Sequence, residues 1–236
     1  MFTKLAFRMR KKMRKDRGSR EIWAVIPAYN EEKNIARVIK GVKKYIKNIV
    51  VVDDGSKDDT YNLAKKSKVV VLGHIVNLGK GAALKTGCDF ALEHNAKILI
   101  AIDGDMQHDP KEIPNFLKAL KNKDIVFSYR KFYKKMPLLL KFGNWFINHT
   151  TKLLYGLNLK DTQCGYRAFT SEAYKKVRWD AFDYSMESEM IANVGKHHLR
   201  YDEIPIQTIY SDKYKGTTPI DGIKIVLNMI LWRLAK

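Results

Sequence analysis

Short apolar runs alternate with amphipathic stretches between residues 22 and 130. The apolar runs are rich in valine and isoleucine, which is typical of strands buried in a parallel sheet; they cover Ile22–Pro27, Ile49–Val52, Val69–Leu72, Ile98–Ile102 and Ile125–Tyr129. Between them, helical spacing covers Glu31–Ile46, Asp59–Lys66, 80–93 and Lys111–Leu120. Strands separated by helices predict an α/β fold whose mostly parallel central sheet is flanked by helices.

The pattern changes after Arg130. Residues Lys134–Leu154 are basic and apolar and predict helices beside the sheet, and residues 203–210 predict a late strand. Residues Pro219–Lys236 have helical spacing but too few uninterrupted apolar positions for a bilayer span, which takes about 20. This helix either docks on the protein or lies on a membrane surface. We expect a basic tail at 1–20, one α/β domain at 21–210, and a loop with an amphipathic helix at 211–236.

The chain has 236 residues and a formal net charge of +19, which favours an anionic partner: a nucleic acid, lipid head groups or a phosphorylated substrate. Nine lysines and arginines against one aspartate give residues 1–20 a charge of +8. This tail lacks the apolar stretch of a secretory signal peptide, and is either a solvated disordered segment or one that binds an anionic bilayer.

Cys88 and Cys164 stand far apart in the sequence, which favours free thiols in a reducing compartment.

Carboxylates follow two of the predicted strands. Asp103 and Asp105 come directly after the fourth strand, where alternation would point them to the same side and Gly104 leaves the backbone room to approach a ligand. Ligands of open α/β sheets collect beyond the strand ends, and paired carboxylates suit a hard divalent cation. The alternative is a plain turn into a helix that starts at Pro110. Asp53-Asp54-Gly55-Ser56 is either an Asx-type turn or a hydrogen-bond acceptor for a base or ribose.

The segment Asn77-Leu-Gly-Lys-Gly81 opens the third predicted helix and argues against two classes of nucleotide-binding protein. A Walker A motif has its lysine after the second glycine, whereas Gly81 follows Lys80 here. A dinucleotide-binding fingerprint would need a glycine where Leu84 stands. Glycines and a lysine at a helix N-terminus still favour an anion.

Five motifs stand in an order that resembles the family-2 glycosyltransferases, and within them the polyprenyl-phosphate branch of dolichyl-phosphate mannose synthases and glucosyltransferases. They span about residues 22 to 210 and are Ile26-Pro-Ala-Tyr-Asn-Glu-Glu32, Val51-Val-Asp-Asp-Gly-Ser56, Asn77-Leu-Gly-Lys-Gly81, Asp103-Gly-Asp-Met-Gln-His108 and Asp161-Thr-Gln-Cys-Gly-Tyr-Arg-Ala-Phe169. Each motif alone is weak, but five in this order are strongly specific.

The resemblance implies a nucleotide-sugar-binding fold of the GT-A type. Mg²⁺ or Mn²⁺ on the donor diphosphate would be held by Asp103, Asp105 and Gln107, and would neutralise charge on the leaving nucleoside diphosphate. Asp105, Arg130 and Glu189 would serve catalysis, the arginine because its planar fork suits phosphate oxygens. The donor would be bound by Pro27, Tyr29, Glu31, Val52, Asp54, Lys80, Asp103, Gly104 and Arg130.

The acceptor side rests on fewer matches. In the family the Asp161–Phe169 segment lies near the acceptor, which points to Gln163, and a glutamate approaches the site where Glu187 and Glu189 stand. These two point in different directions on a helix, and we expect Glu189 to face inward. Mannose synthases present basic residues to the acceptor phosphate, and Lys213 and Lys215 stand in that stretch here.

The sequence thus predicts a metal-dependent, inverting transfer of a sugar from a nucleoside diphosphate to dolichyl or another polyprenyl phosphate, by a peripheral enzyme on the cytoplasmic face of a membrane. UDP-glucose, UDP-N-acetylglucosamine and GDP-mannose are the candidate donors, the first two favoured by the Asp-Thr-Gln-Cys-Gly stretch. Partners would be an anionic membrane surface and a possible membrane protein. The alternatives are transfer to a soluble polysaccharide or a lipid hydroxyl, and, remotely, a nucleic-acid-binding protein, against which the acidic strand ends argue because they repel phosphate.

Overall fold

The computed structural model describes residues 21–130, 138–182 and 185–207, together with Leu227 and Met229; for residues 138–144 it describes the backbone alone. The predicted tail 1–20, Lys213, Lys215 and most of the predicted C-terminal helix lie outside these described residues.

A seven-stranded sheet runs through the described domain, in the order β3-β2-β1-β4-β6-β5-β7. All neighbouring strands pair in parallel except where β6 meets β4 and β5. The strands are β1 (Ile22–Ala28), β2 (Asn48–Asp53), β3 (Val70–Gly73), β4 (Ile98–Ala101), β5 (Ile125–Arg130), β6 (Arg167–Thr170) and β7 (Tyr201–Ile206). The predicted mostly parallel sheet is confirmed.

Helices flank the sheet, and hydrophobic cores lie on both of its faces. The helices are α1 (Ile35–Val42), α2 (Thr60–Lys66), α3 (Lys80–Glu93), α4 (Ile113–Ala119), α5 (Leu138–Tyr155), α6 (Ser171–Val177) and α7 (Met186–Lys196), with short 3₁₀ turns at Pro110–Glu112 and Leu120–Asn122. Alternation along β1 sends Val25 into one core with α3, α6 and α7, and Ile26 into the other with α1 and α4.

The strand β6 is the main difference from the predicted elements, because the sequence analysis assigned residues 167–170 to a motif and not to a strand. It is antiparallel to β4, with Arg167 paired to Ala101 and Thr170 to Ile98. A strand that is antiparallel to its neighbour starts at the edge of the sheet where that neighbour ends. The residues before β6 therefore lie beside the residues after β4, which brings 161–166 and 102–108 together.

Helix α5 packs on part of the C-terminal segment. Met229 is fully buried and contacts Ile147, and the Tyr155 hydroxyl donates a hydrogen bond to the Met229 carbonyl at 2.6 Å. Met229 therefore packs against α5. Across the described ranges, every helix is too short or too polar to cross a bilayer.

The close packing of α3 on the sheet gives a stability prediction. A Cβ at Gly87 would lie 2.4 Å from Cγ1 of Val25 and 3.0 Å from Cγ2 of Val52. Alanine in mid-helix gains about 0.5–1 kcal/mol over glycine, but overpacking a core costs about 1–3 kcal/mol. We expect Gly87→Ala to lower the free energy of unfolding by about 1 kcal/mol or more in urea titrations, whereas the exposed control Glu93→Ala stays near wild type. A more stable Gly87→Ala variant would contradict this packing.

Candidate active site

Side chains join the loops that follow β1 and β2. The Asn30 backbone N–H donates to Ser56 Oγ at 2.9 Å, and the Lys57 N–H donates back to Asn30 Oδ1 at 2.9 Å. The Glu31 N–H donates to Thr60 Oγ1 at 2.7 Å. Asn30 adopts a left-handed conformation with φ of 54°, which asparagine tolerates better than most residues. The two loops thus form one connected rim at the carboxyl edge of the sheet.

Asp54 fixes the loop that leads into α3. Its carboxylate accepts hydrogen bonds from His74 Nδ1 at 2.7 Å, the Leu78 N–H at 3.0 Å and the Gly79 N–H at 2.8 Å. The neighbouring Asp53 uses Oδ2 for the Ser56 N–H, while its buried Oδ1 has no hydrogen-bond partner in the described part of the chain. Asp53 therefore has an oxygen left to accept a hydrogen bond, whereas Asp54, the residue that the sequence analysis named for donor binding, is engaged by the protein itself.

A lysine ammonium lies between two carboxylates at the centre of the edge. Nζ of Lys80, the first residue of α3, is 3.0 Å from Asp103 Oδ1 and 3.1 Å from Glu187 Oε1. Burial alone would lower the pKa of Lys80, but the charges of the two acids outweigh it and raise that pKa. Gly165 covers this group so closely that a Cβ there would lie 2.6 Å from Nζ. Residues from three separate motifs therefore meet at one point.

Asp103 and Asp105 have different environments. Burial would raise the pKa of Asp103, but the neighbouring Lys80 ammonium holds it below its usual value. Burial and the charge of Asp103 raise the pKa of Asp105 to about 6, and Glu31 adds to the rise. Asp105 Oδ1 also accepts the Gln107 N–H at 2.9 Å. The charge of Lys80 offsets this rise only in part, so the ionised form of Asp105 is disfavoured, which is the situation that a bound cation relieves.

The carboxylates fit a hard divalent cation in chemistry but not as a complete protein cage. Within the described ranges there is no group of three or more His, Cys, Asp or Glu side chains that could hold a metal ion. Mg²⁺ is commonly held by one or two carboxylates together with substrate phosphates and water. The oxygen donors of Asp103 and Asp105 match that pattern, so the residues present fit the expected ion.

Arg130 is oriented by a buried acid. Its Nε and Nη2 donate to the two oxygens of Asp161 at 2.7 and 3.1 Å. Asp161 also accepts the Gln163 N–H at 3.1 Å, and the Gln163 side chain donates to Ser188 Oγ at 3.3 Å. Oε1 of Gln163 is buried without a hydrogen-bond partner among the described residues. The segment before β6 thus joins Arg130 to the start of α7.

Two expected site residues are corrected. Glu189 does not face Lys80; its two carboxylate oxygens accept the N–H groups of Asp180 at 3.0 Å and Ala181 at 2.9 Å. Glu187, two residues earlier on α7, makes the contact with Lys80 instead. Val52 is fully buried in the core beside α3, so its side chain cannot contact a donor.

The other expected donor residues lie along the same edge. The Pro27 carbonyl faces Gly104, where a Cβ would lie 3.2 Å from it, so a larger residue there would crowd β1. Tyr29 is 40% exposed directly after β1. Glu31 is buried and accepts a hydrogen bond from the Asn34 side chain at 2.8 Å.

With this geometry described, the chain can be compared with known proteins. Residues 23–178 match the family described as glycosyl transferase family 2. The chain belongs to that family. It is a glycosyltransferase, as the order of its motifs predicted.

Its relatives include proteins from archaea and bacteria. An uncharacterised protein of Methanocaldococcus jannaschii is 42% identical over 225 residues, covering 91% of this chain and 93% of that protein. A UDP-N-acetylglucosamine–dolichyl-phosphate N-acetylglucosaminyltransferase of Methanococcus voltae is 35% identical over 243 residues, covering 91% and 97%. An undecaprenyl-phosphate mannosyltransferase of Micrococcus luteus is 26% identical over 231 residues, covering 91% and 94%. The resemblance to the polyprenyl-phosphate branch is thus confirmed.

The fold is also found among solved structures. Glucosyl-3-phosphoglycerate synthase of Mycobacterium tuberculosis, crystallised with Mn²⁺, UDP-glucose and phosphoglyceric acid, has a TM-score of 0.70 at 21% identity over 89% of this chain and 79% of that one. The expected GT-A-type α/β fold is confirmed.

The charge coupling in the site can be tested by NMR on the metal-free protein. We expect Asp103→Asn to move the pKa of Asp105 from about 6 toward its ordinary 3.8, without reaching it, because burial remains. In the wild type, Asp105 is protonated below about pH 6, so divalent-cation affinity should fall as the pH drops through that value.

The measurement is a ¹³C titration of the Asp105 carboxyl group. The control is Asp180→Asn. Asp180 is an exposed carboxylate that pairs with Lys85, so its loss should leave the titration of Asp105 unchanged. An Asp105 pKa that is the same in Asp103→Asn and in the wild type would rule out the coupling.

Proposed function

We propose that this enzyme transfers N-acetylglucosamine from UDP-N-acetylglucosamine to dolichyl or a related polyprenyl phosphate, with inversion at the anomeric carbon. The Methanococcus voltae relative, which carries that name, supports the donor and acceptor, since it is similar over 91% of this chain. UDP-glucose and GDP-mannose are the donors to test against it.

The proposed acceptor agrees with the state of Glu187. A sugar or lipid hydroxyl needs a general base to remove its proton, whereas a polyprenyl phosphate is already ionised at neutral pH. Glu187 is 3% exposed, and its Oε1 accepts a hydrogen bond from Lys80. A carboxylate engaged in this way holds the lysine and is poorly placed to receive a proton. This engagement is the observation that favours the phosphate acceptor over the hydroxyl.

In this proposal the protein positions the reactants and stabilises charge. Asp103, Asp105 and Gln107 would hold Mg²⁺ or Mn²⁺, which supplies charge neutralisation for the leaving diphosphate. Lys80 would hold Asp103 in place, and Arg130, oriented by Asp161, would face phosphate oxygens. On the acceptor side, Gln163 would line the site, and Lys213 and Lys215 would bind the acceptor phosphate.

A lipid-linked acceptor requires the enzyme to work at a membrane surface, which we place at the cytoplasmic face. Trp145 and Phe146 are 58% and 45% exposed on α5, and Leu153 is 78% exposed two turns further along. Tryptophan and phenylalanine on a helix surface are typical of contact with the boundary between head groups and acyl chains. The charge of +8 on residues 1–20 would add electrostatic attraction to anionic lipids.

A donor screen tests the proposal. The purified protein is given polyprenyl phosphate in vesicles, Mg²⁺ or Mn²⁺, and one of the three nucleotide sugars at a time. We expect an organic-soluble glycolipid with UDP-N-acetylglucosamine, and its loss in Asp105→Ala at unchanged thermal unfolding. Asp180→Ala is the matched surface control. Sugar transfer to a soluble acceptor without any lipid product would overturn the proposed acceptor. Full activity of the Asp105→Ala variant would overturn the proposed metal site.

Substitution of Glu187 separates the phosphate acceptor from the hydroxyl acceptor. Glutamine keeps the oxygen that accepts from Lys80 but cannot take up a proton. With a phosphate acceptor we expect Glu187→Gln to retain kcat within about tenfold and Glu187→Ala to lose far more. With a hydroxyl acceptor, loss of the base would cost about 10²–10⁴ in both. Glu189→Gln is the comparison within the same helix, and should affect thermal stability more than kcat because Glu189 caps a backbone segment.

A further inference from the structure

His108 has an unusual position behind the acidic pair. The ring is 5% exposed, and its Nδ1 has no hydrogen-bond partner among the described residues. That nitrogen lies 3.6 Å from Oδ2 of Asp103, beyond the 2.7–3.2 Å of a formed hydrogen bond. Lys80 approaches the same carboxylate, at 3.0 Å from Oδ1. Asp103 therefore has a cation that binds it and a buried ring nitrogen just out of reach.

The chain is shaped to bring His108 to this place. Met106 has a left-handed φ of 67°, which is uncommon for a residue with a side chain. The turn reverses the backbone after Asp105, so that the residue five positions after Asp103 returns beneath it. Strain at a non-glycine residue persists where the surrounding structure holds it.

Aromatic packing fixes the plane of the ring. His108 stacks on Tyr166 with centroids 5.1 Å apart and planes at 26°, and Tyr166 packs on Phe116 at 4.4 Å. The other ring nitrogen, Nε2, is 3.8 Å from Sγ of Cys164. The ring is therefore locked between the loop that carries Asp103 and the segment before β6.

One tautomer suits the carboxylate side of the ring. With a proton on Nδ1, the ring offers a donor to Asp103, whereas a proton on Nε2 alone would set the Nδ1 lone pair against the carboxylate. The Cys164 thiol has a nearer partner than Nε2, because its Sγ lies 3.0 Å from Ser128 Oγ, and that hydroxyl donates its own proton to the Tyr166 carbonyl at 2.7 Å.

We infer that His108 is a positioning residue that donates a hydrogen bond from Nδ1 to Asp103 when the nucleotide sugar is bound. A shift of about half an ångström by Asp103 closes the gap to hydrogen-bond length. The role rests on the proposed function, because it assumes that Asp103 helps to bind the donor. Through Tyr166, the same ring also couples the acidic loop to the acceptor-side segment.

Three substitutions separate this role from simple packing. Phenylalanine keeps the ring and its stack on Tyr166 but removes both nitrogens. The side-chain nitrogen of asparagine stands near the place of Nδ1, and that of glutamine near the place of Nε2. Loss of a partner that orients a metal-binding residue typically costs about 10–100-fold in affinity. We expect a loss of that size for UDP with Mn²⁺ in His108→Phe and His108→Gln, and recovery toward wild type in His108→Asn.

Two readouts judge the inference. Isothermal titration of UDP with Mn²⁺ measures affinity, with His94→Phe, at an exposed histidine stacked on Phe90, as the matched control. ¹⁵N NMR of the ligand-free wild type reports the tautomer directly, and we expect the proton on Nδ1. Wild-type affinity in His108→Phe, or a proton on Nε2, would overturn the role of His108. Failure of the wild type to bind UDP with Mn²⁺ would instead overturn the proposed function, while the tautomer still decides the inference.

Discussion

The arrangement of the site depends on the Lys80 ammonium between Asp103 and Glu187. Two carboxylates buried together without a cation would be strongly unfavourable, and one of them would take up a proton. The lysine, at 3.0 and 3.1 Å, supplies the compensating charge, so the charged edge of the sheet can coexist with the core beneath it. Asp105 lies nearby, and burial together with the charge of Asp103 raises its pKa to about 6.

The position of Lys80 is in turn set by a backbone segment that crosses the start of α3. The Trp179 indole donates to the Gly81 carbonyl at 2.9 Å, and the Ala82 N–H donates to the Phe182 carbonyl at 3.2 Å. Gly81 has to be a glycine, because a Cβ would lie 2.5 Å from the Ala181 oxygen. Glu189 caps this same segment. The two glutamates of α7 therefore serve one purpose, since one contacts Lys80 and the other holds the segment that places it.

Periodicity and strand-end chemistry were enough to predict the parallel strands, the flanking helices and the edge where the acidic residues gather. They were not enough for β6, a four-residue strand whose sequence Arg-Ala-Phe-Thr has no alternating pattern. Its direction is a tertiary property: it depends on the pairing of Arg167 with Ala101, which no local signal encodes. The meeting of residues 161–166 with 102–108 was accessible only through family resemblance.

Within the site, the sequence predicted which residues take part better than it predicted where their side chains point. Glu187 and Glu189 carry the same chemistry two positions apart, and only the packing of α7 decides which one meets Lys80. Asp53 and Asp54 differ in the same way, because His74 and the loop at 78–79 occupy one and leave an oxygen of the other unpaired. His108 gave no signal of its own, since a histidine after an acidic motif is consistent with a turn, a ligand or a packing residue.

The distribution of charge supports an acceptor that brings its own negative charge. The chain is strongly basic overall, yet the described edge of the sheet is acidic and its lysine is already paired. A neutral hydroxyl acceptor would need a base for its proton, and Glu187 already accepts a hydrogen bond from Lys80. A phosphate acceptor carries no such proton, and the long-range attraction of a basic surface would draw it toward the edge. In the proposed function, the local paired charges and the global excess of positive charge would have separate tasks: the first would orient the reactants, and the second would concentrate anionic substrates and lipids around them.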